Sequence, residues 1–131
     1  MTTSLNEFIN HNRIHARAEW TDDNPGMSDM PAGSSHWRVI LTRSGKRMTV
    51  PFSQGPAISR EPTAEDVLDC LASDAASFEN AQSFEDWASE YGYDADSRKA
   101  ERIYRAVEKQ TVKLRAFMGE LYQPLLWDIE R

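Results

Sequence analysis

The fold is decided by residues 36–52, which read HWRVILTRSGKRMTVPF. Two runs rich in β-branched and aromatic residues flank Ser44 and Gly45, a pair typical of a two-residue turn between antiparallel strands. Such a turn brings six apolar side chains to one face as three cross-strand pairs: Leu41 with Met48, Val39 with Val50, and Trp37 with Phe52. Because a single register aligns all of them, the sequence predicts a hairpin over these residues.

A third strand is predicted immediately before this hairpin in the chain. Residues 14–20 alternate, with Ile14, Ala16, Ala18 and Trp20 on one face and polar side chains on the other. Residues 21–35 then contain prolines, glycines, serines and aspartates. Loops of that length tend to be mobile or functional, so we expect a long mobile loop here.

Helices are predicted on both sides of the strands. Three Ser/Thr-x-x-Glu/Asp capping boxes, starting at Ser4, Thr63 and Ser83, predict helices over residues 5–12, 64–76 and 84–91. The longest helix is expected over residues 97–118, capped by Asp94 or Asp96. Its predicted buried row is Ala100, Ile103, Val107, Thr111, Leu114 and Met118. Gly92 and Gly119 are predicted to end the last two helices.

The resulting order is αβββααα, and a further, looser C-terminal helix over residues 120–130 is left open. Three antiparallel strands with helices packed on one face make an α+β domain. A chain of 131 residues has the size of one domain. The residues after Gly119 include Tyr122, Leu125, Leu126 and Trp127, which either dock on this domain or bury against a second copy. Docking is the favoured interpretation, and a monomer is favoured over a homodimer.

The composition excludes several classes of protein. With 40% hydrophobic residues the chain is not expected to be disordered, and no apolar run has the length of a membrane span. Residues 1–12 lack the basic and apolar regions of a signal peptide. The single cysteine, Cys70, excludes a disulfide framework, suits a reducing cytoplasm, and is interpreted as a small packed side chain.

Charge is strongly segregated along the chain. Residues 61–96 carry eleven acidic residues and no lysine or arginine, whereas residues 97–118 carry seven basic and two acidic residues. The two segments either pair with each other in the fold or give the molecule two oppositely charged faces.

No recognisable catalytic or metal-binding motif occurs in the chain. Three histidines (His11, His15 and His36) and one cysteine do not make up a zinc set, and Asp94-Ala-Asp96 lacks the later ligands of a calcium loop. There is no glycine-rich phosphate loop and no nucleophile elbow. We therefore predict that the protein is not an enzyme and has no cofactor and no metal site.

Two binding surfaces remain as hypotheses. Carboxylates on rigid helices can imitate a phosphate backbone, so the first is a protein-binding surface on the acidic helices and the long loop. Its residues are Glu65, Asp69, Glu85, Asp86, Glu90, Asp22, Asp23, Met27, Asp29 and Met30. The alternative is a nucleic-acid or nucleotide site, either on the basic face of the long helix or on the sheet. Its residues are Arg98, Arg102, Arg105, Lys109 and Lys113, or Arg17, Arg38 and Arg47. The two basic surfaces are expected to lie apart, and the pI near 5.0 argues against this alternative.

Two segments carry a resemblance to other proteins. Residues 62–74 (PTAEDVLDCLASD) and 83–104 (SFEDWASEYGYDADSRKAERIY), together with the hairpin, resemble a widespread group of small phage and prophage accessory proteins of unassigned activity. The resemblance extends over most of residues 14–118. It implies a protein made in the cytoplasm of a bacterial host and accessory to the virion. Small acidic phage proteins of the anti-CRISPR and anti-restriction type disarm host defences by binding. By analogy of setting, the chain is expected to bind and inhibit a host protein, such as a nucleic-acid-handling defence complex.

Overall fold

The structure, a computed structural model, describes residues 3–21, 31–58 and 60–130. Its elements follow one another in an order that matches the expected α+β arrangement, with two very short strands added at the ends. In chain order they are β1 (Thr3–Ser4), α1 (Leu5–His11), β2 (His15–Thr21), β3 (Ser35–Arg43), β4 (Lys46–Gln54), α2 (Ala64–Asn80), α3 (Phe84–Glu90), α4 (Arg98–Met118), a 3-10 turn (Gly119–Leu121), α5 (Tyr122–Trp127) and β5 (Ile129–Glu130).

The predicted hairpin is confirmed with its register. Strands β2, β3 and β4 form an antiparallel sheet in that order, and the three predicted apolar pairs lie directly opposite each other. Ser44 has a φ of 46° and Gly45 a φ of 77°, so both turn residues are left-handed, as in a type I′ turn. This turn matches the twist of the flanking strands and sets the register of β3 on β4.

The strand before the hairpin is confirmed, but one side chain that was predicted to lie on its apolar face is exposed to solvent. Ala16 and Ala18 pack against the core, whereas Trp20 is 63% exposed. Trp20 lies opposite Trp37, one residue pair before the end of the β2–β3 ladder. The strands also extend further than expected, since Thr21 pairs with His36 and Ser35 pairs with Gln54.

Helices cover one face of the sheet and enclose the main core. The sheet contributes Val39, Leu41, Met48 and Val50, all nearly inaccessible to solvent. The helices contribute apolar stripes at helical spacing from α1, α2, the second half of α4, and α5. The predicted buried row of α4 is confirmed at all six positions, and Phe117 is buried with it.

The helix starts follow the capping signals, with one correction. Ser4, Thr63 and Ser83 each accept a hydrogen bond from the third backbone N–H of their helix. The cap of α4 is Ser97, and the predictions of Asp94 and Asp96 were wrong. The side chain of Asp94 instead accepts from the backbone N–H of Asp96 in the preceding turn, at 3.0 Å. Helix α2 also continues past residue 76 to Asn80.

The C-terminal segment docks on its own domain. Tyr122, Leu125 and Leu126 are buried in the main core, while Trp127 stays 48% exposed. Strand β5 then pairs in parallel with β1, a contact that no local pattern predicted. Arg43 is buried nearby and donates to the backbone oxygen of Phe117 at 2.9 Å and to Glu120 at 3.0 Å, which ties β3 to the end of α4.

A second, aromatic cluster lies at the other end of α4. Its buried members are Trp87 and Ala88 of α3 with Ile103 and Val107 of α4. Partly buried aromatic residues pack around them: Phe78, Phe84, Tyr93 and Tyr104. The first half of α4 is therefore anchored by ring contacts to α3, and its second half by the main core.

Candidate functional site

The predicted acidic surface, defined as Glu65, Asp69, Glu85, Asp86 and Glu90, is exposed at all five positions. Its members differ in what they do locally. Asp86 accepts a hydrogen bond from the backbone N–H of Gln82 at 3.1 Å and therefore helps to begin α3. Asp66, beside Glu65, completes a capping box with Thr63 and pairs with Arg60 at 2.6 Å. That pairing holds the pKa of the Asp66 carboxyl below its usual range.

The structure brings part of this surface together around one place. The negative charges of Asp69 and Asp74 on α2 both help to raise the pKa of the Cys70 thiol. The charges of Asp74 and Glu90 likewise help to raise the pKa of the Tyr91 hydroxyl. Since Tyr91 also hydrogen-bonds Ser77 of α2, the end of α3 lies against the middle of α2. Negative charge from two helices is thereby concentrated at one junction.

The basic face of α4 is open to solvent. The basic row, defined as Arg98, Arg102, Arg105, Lys109 and Lys113, is exposed at all five positions. One ion pair between α4 and the acidic helices joins Arg115 to Glu79, and both residues lie outside the two sets. Arg105 pairs with Glu108 of its own helix. Both charged sets are thus accessible to a partner.

The three sheet-face arginines do lie on one open face, but an acid lies between them. Glu19 pairs with Arg17 at 3.1 Å and with Arg38 at 2.5 Å, and Arg47 adds to the local positive potential. Bonding to Arg38 is the main reason that the pKa of Glu19 is lowered. This cluster therefore offers less free positive charge than three arginines alone.

The α4 row and the sheet arginines, which were expected to lie apart, approach each other at one place. Arg47 and Lys46 of β4 and Lys113 of α4 line the same open hollow, whereas Arg17 and Arg38 are not among its described lining residues. The floor of this hollow is formed by Met48 and Phe117. Helix α4 packs along edge strand β4, so its second half brings Lys113 to the outer rim of the sheet.

A cleft opens between β4, α2, α3 and α4. It has a volume of about 290 Å³, close to the lower end of the range for small-molecule sites. The wall residues on which the argument depends are Cys70, Asp74, Trp87, Tyr91, Tyr93 and Gln110. The rings of Trp87 and Tyr93 are stacked with centroids 5.7 Å apart, and the centroid of Tyr91 is 5.0 Å from that of Trp87.

Polar groups of the cleft wall are poorly satisfied. Gln110 Oε1 and Trp87 Nε1 are buried and have no hydrogen-bond partner. Burial raises the pKa of the Asp74 carboxyl to about 6, and none of the described basic side chains forms an ion pair with it. The nearest group bonded to it is the Cys70 thiol, with Sγ 4.0 Å from Oδ2.

Cys70 was interpreted as a small packed side chain, but in the structure it is exposed and lines the cleft. Burial by these walls, followed by the charges of Asp74 and Asp69, raises the pKa of the thiol to about 11. The thiol is therefore protonated at neutral pH and is a poor nucleophile.

The remaining candidates are local in their effect or lie outside the described part. His36 Nδ1 is 2.7 Å from Ser53 Oγ, across the hairpin. In the residues that the structure describes, no three histidine, cysteine or carboxylate side chains are grouped so that they could hold a metal ion. None of the described helices is both long and apolar enough to cross a bilayer. The predicted loop residues lie outside the described residues: Asp22, Asp23, Met27, Asp29 and Met30.

Comparison with known proteins adds no family. No protein-family model, no curated protein and no solved structure matches this chain. The resemblance to phage accessory proteins therefore stays a prediction from the sequence.

Sequence reasoning did not find the cleft. Asp74 was one of eleven acids in a block, and Gln110 belonged to no motif. Trp87 is buried, but Tyr91 is 44% exposed. The available signal was the aromatic run in and after α3, three rings within seven residues beside an acidic helix.

Proposed function

We propose that the protein is a non-catalytic accessory protein that binds and inhibits a host protein through its acidic surface. The single observation that supports this is the charge separation. The acidic surface and the basic row are each exposed at all five positions, and they belong to separate segments of the chain. A fold that keeps opposite charges apart gives up internal pairing and presents two faces with strong fields.

The target that fits such a surface is a protein with a basic groove. Carboxylates on α2 and α3 are carried by capped helices, so the spacing of their backbone positions is fixed before binding and little backbone freedom is lost on association. A nucleic-acid-handling defence complex of the bacterial host, of the type that anti-CRISPR and anti-restriction proteins bind, presents such a groove. The loop residues 22–30 are included in this proposal on the sequence alone.

The test compares two variants with equal numbers of neutralised charges. The acid-neutral variant carries Glu65→Gln, Asp69→Asn, Glu85→Gln and Glu90→Gln; Asp86 is kept because it begins α3. The base-neutral variant carries Arg98→Gln, Arg102→Gln, Lys109→Gln and Lys113→Gln; Arg105 is kept because it pairs with Glu108. All eight positions are exposed, so both variants are expected to fold.

A host protein captured by the wild-type chain from a bacterial lysate is then purified and its association rate measured. We expect the acid-neutral variant to associate at least tenfold more slowly and with a weaker salt dependence, because rim charges act mainly on the association rate. The base-neutral variant should associate at the wild-type rate or faster. Recovery of no host protein, together with turnover of a nucleotide substrate, would overturn the proposal.

An alternative function, direct binding of nucleic acid or of a nucleotide, is supported by one observation. Lys46, Arg47 and Lys113 share the rim of one hollow and so combine the helix and the sheet into one basic surface. Five phosphate contacts predict a slope of about −4 to −5 in log affinity against log salt on duplex DNA. In this case the base-neutral variant loses binding to DNA or RNA and the acid-neutral variant gains it. No binding at low salt would remove the alternative.

A further inference from the structure

The cleft between β4, α2, α3 and α4 has a wall chemistry that the proposed function does not use. We propose that it binds a small, flat organic cation, an aromatic amidinium or ammonium compound, whose N–H groups meet the carboxylate of Asp74. This ligand site does not depend on the protein partner proposed above, and it is defined by residues that are absent from both charged surfaces.

The sign of the ligand follows from the charges around the cleft. None of the described residues that line the cleft is a lysine, an arginine or a histidine. Asp74 has no ion-pair partner in the described part of the chain, and Asp69 and Glu90 add negative potential at the same junction. A buried carboxylate without a counter-charge is costly, and an incoming cation removes that cost. An anionic ligand would instead be repelled by the Asp74 carboxylate in the wall.

The shape of the ligand follows from the aromatic wall. Trp87, Tyr91 and Tyr93 form a continuous set of rings whose planes are inclined by 20–40° to one another. Such a wall favours a flat, apolar body, and the electron-rich ring faces attract a positive charge. A volume of about 290 Å³ accommodates one small ring with a polar head.

The unpartnered atoms define the head group. Gln110 Oε1 is a buried acceptor without a donor, and Asp74 offers two more acceptor oxygens on the opposite helix. Trp87 is only 2% exposed, and its Nε1 is a buried donor without an acceptor. Each such group costs roughly 1–3 kcal/mol when left unpaired. Since acceptors outnumber unpartnered donors in the wall, a head group with several N–H donors fits better than a carbonyl compound.

Benzamidine and benzamide are a matched pair of probes for this site. They have nearly the same shape, but only benzamidine is a cation. Nitrogen–proton correlation spectra of the full chain resolve one indole signal from each of the four tryptophans, and Trp87→Phe assigns the signal of the cleft. We expect benzamidine to shift the Trp87 signal until the site is saturated. The affinity from this titration should be at least tenfold higher for benzamidine than for benzamide.

A variant pair tests the role of the carboxylate. Asp74→Asn removes the negative charge but keeps the shape of the side chain, so it should weaken the binding of benzamidine at least tenfold. Glu65→Gln on the same helix, nine residues and about 13 Å away along its axis, should change the affinity less than twofold. The benzamidine–benzamide comparison on the wild-type chain decides the proposal even if Asp74→Asn does not fold.

Three results would overturn this site. They are equal affinity for the two probes, undiminished binding to folded Asp74→Asn, and an absence of any Trp87 shift at millimolar benzamidine. If only the signals of the exposed Trp20 or Trp127 shifted, the site would also be overturned, because such shifts report binding elsewhere on the surface. None of these results affects the acidic surface, whose test uses a protein ligand and leaves Asp74 and Trp87 unchanged.

Discussion

The main core and the aromatic cluster differ in how completely they are closed. The main core packs aliphatic side chains from the sheet and four helices, and Val39, Leu41 and Leu114 in it are at most 1% exposed. The aromatic cluster has only four buried members, is built from α3 and half of α4, and borders an open cleft. Both are anchored on α4, so one helix carries a closed region and an open one.

The difference indicates a division of roles. Close packing stabilises a fold but leaves no room for a ligand. Buried atoms without a hydrogen-bond partner occur in both regions, on Trp37 and Arg43 at the main core and on Trp87 and Gln110 at the cleft. The cleft differs because these atoms line an open space beside the carboxylate of Asp74, where a ligand can reach them.

The largest expected effect is on stability, and it differs between a substitution in the main core and one in the aromatic cluster. Leu41→Ala should lower the free energy of unfolding by about 3 kcal/mol, because Leu41 is fully buried and its neighbours cannot fill the cavity. Trp87→Phe should lower it by about 1 kcal/mol or less, since the change also removes an unsatisfied buried N–H. Urea denaturation of both variants measures the two values. If both variants lost the same free energy of unfolding, the main core would not be more completely packed than the aromatic cluster.

An intermediate effect concerns the charge in the cleft. Because burial raises the pKa of Asp74 to about 6 from 3.8, the folded state penalises the carboxylate above pH 6 and carries no penalty below about pH 4. Asp74→Asn should therefore stabilise the protein by on the order of 1–2 kcal/mol at pH 8. The advantage should disappear as the pH falls through 6 to 4.

Thermal denaturation of wild type and Asp74→Asn between pH 4 and pH 8 checks this. The groups facing Asp74 are Cys70 on its own helix, Glu90 and Tyr91 at the end of α3, and Tyr93; α4 and β4 contribute uncharged Gln110 and Ser53. Cys70 and Tyr91 have raised pKa values and keep their protons in this range. A constant difference across the range would show that Asp74 does not change its charge there.

The smallest effect concerns the Ser44-Gly45 turn, which joins the two strands that contribute most of the sheet residues in the main core. Ser44 has a φ of 46°, a conformation that asparagine adopts more readily than serine. Ser44→Asn should therefore raise the free energy of unfolding by about 0.5 kcal/mol and leave probe binding in the cleft unchanged. A denaturation curve and a benzamidine titration of the same variant test both statements. A loss of stability would contradict the type I′ geometry.

Much of the main core was predictable because local rules agree there. The alternation in β3 and β4, the Ser44-Gly45 turn and the spacing of Ala100, Ile103 and Val107 each depend on near neighbours in sequence. Helix caps are equally local, and the one error, at Ser97, arose because three candidate caps lie within four residues. The exposure of Trp20 was not predictable, since the alternation of β2 indicates which face a side chain is on but not what covers that face.

The class of fold, the hairpin register, the helix faces and the segregation of charge follow from the sequence, because each depends on periodicity or on adjacent residues. Which charges meet depends on how the elements pack. The packing brings Lys113 of α4 and Arg47 of β4 to the same hollow. It also assembled the cleft, whose Asp74, Trp87 and Gln110 come from three different helices. Such juxtapositions depend on the packing of whole elements, which no local spacing encodes.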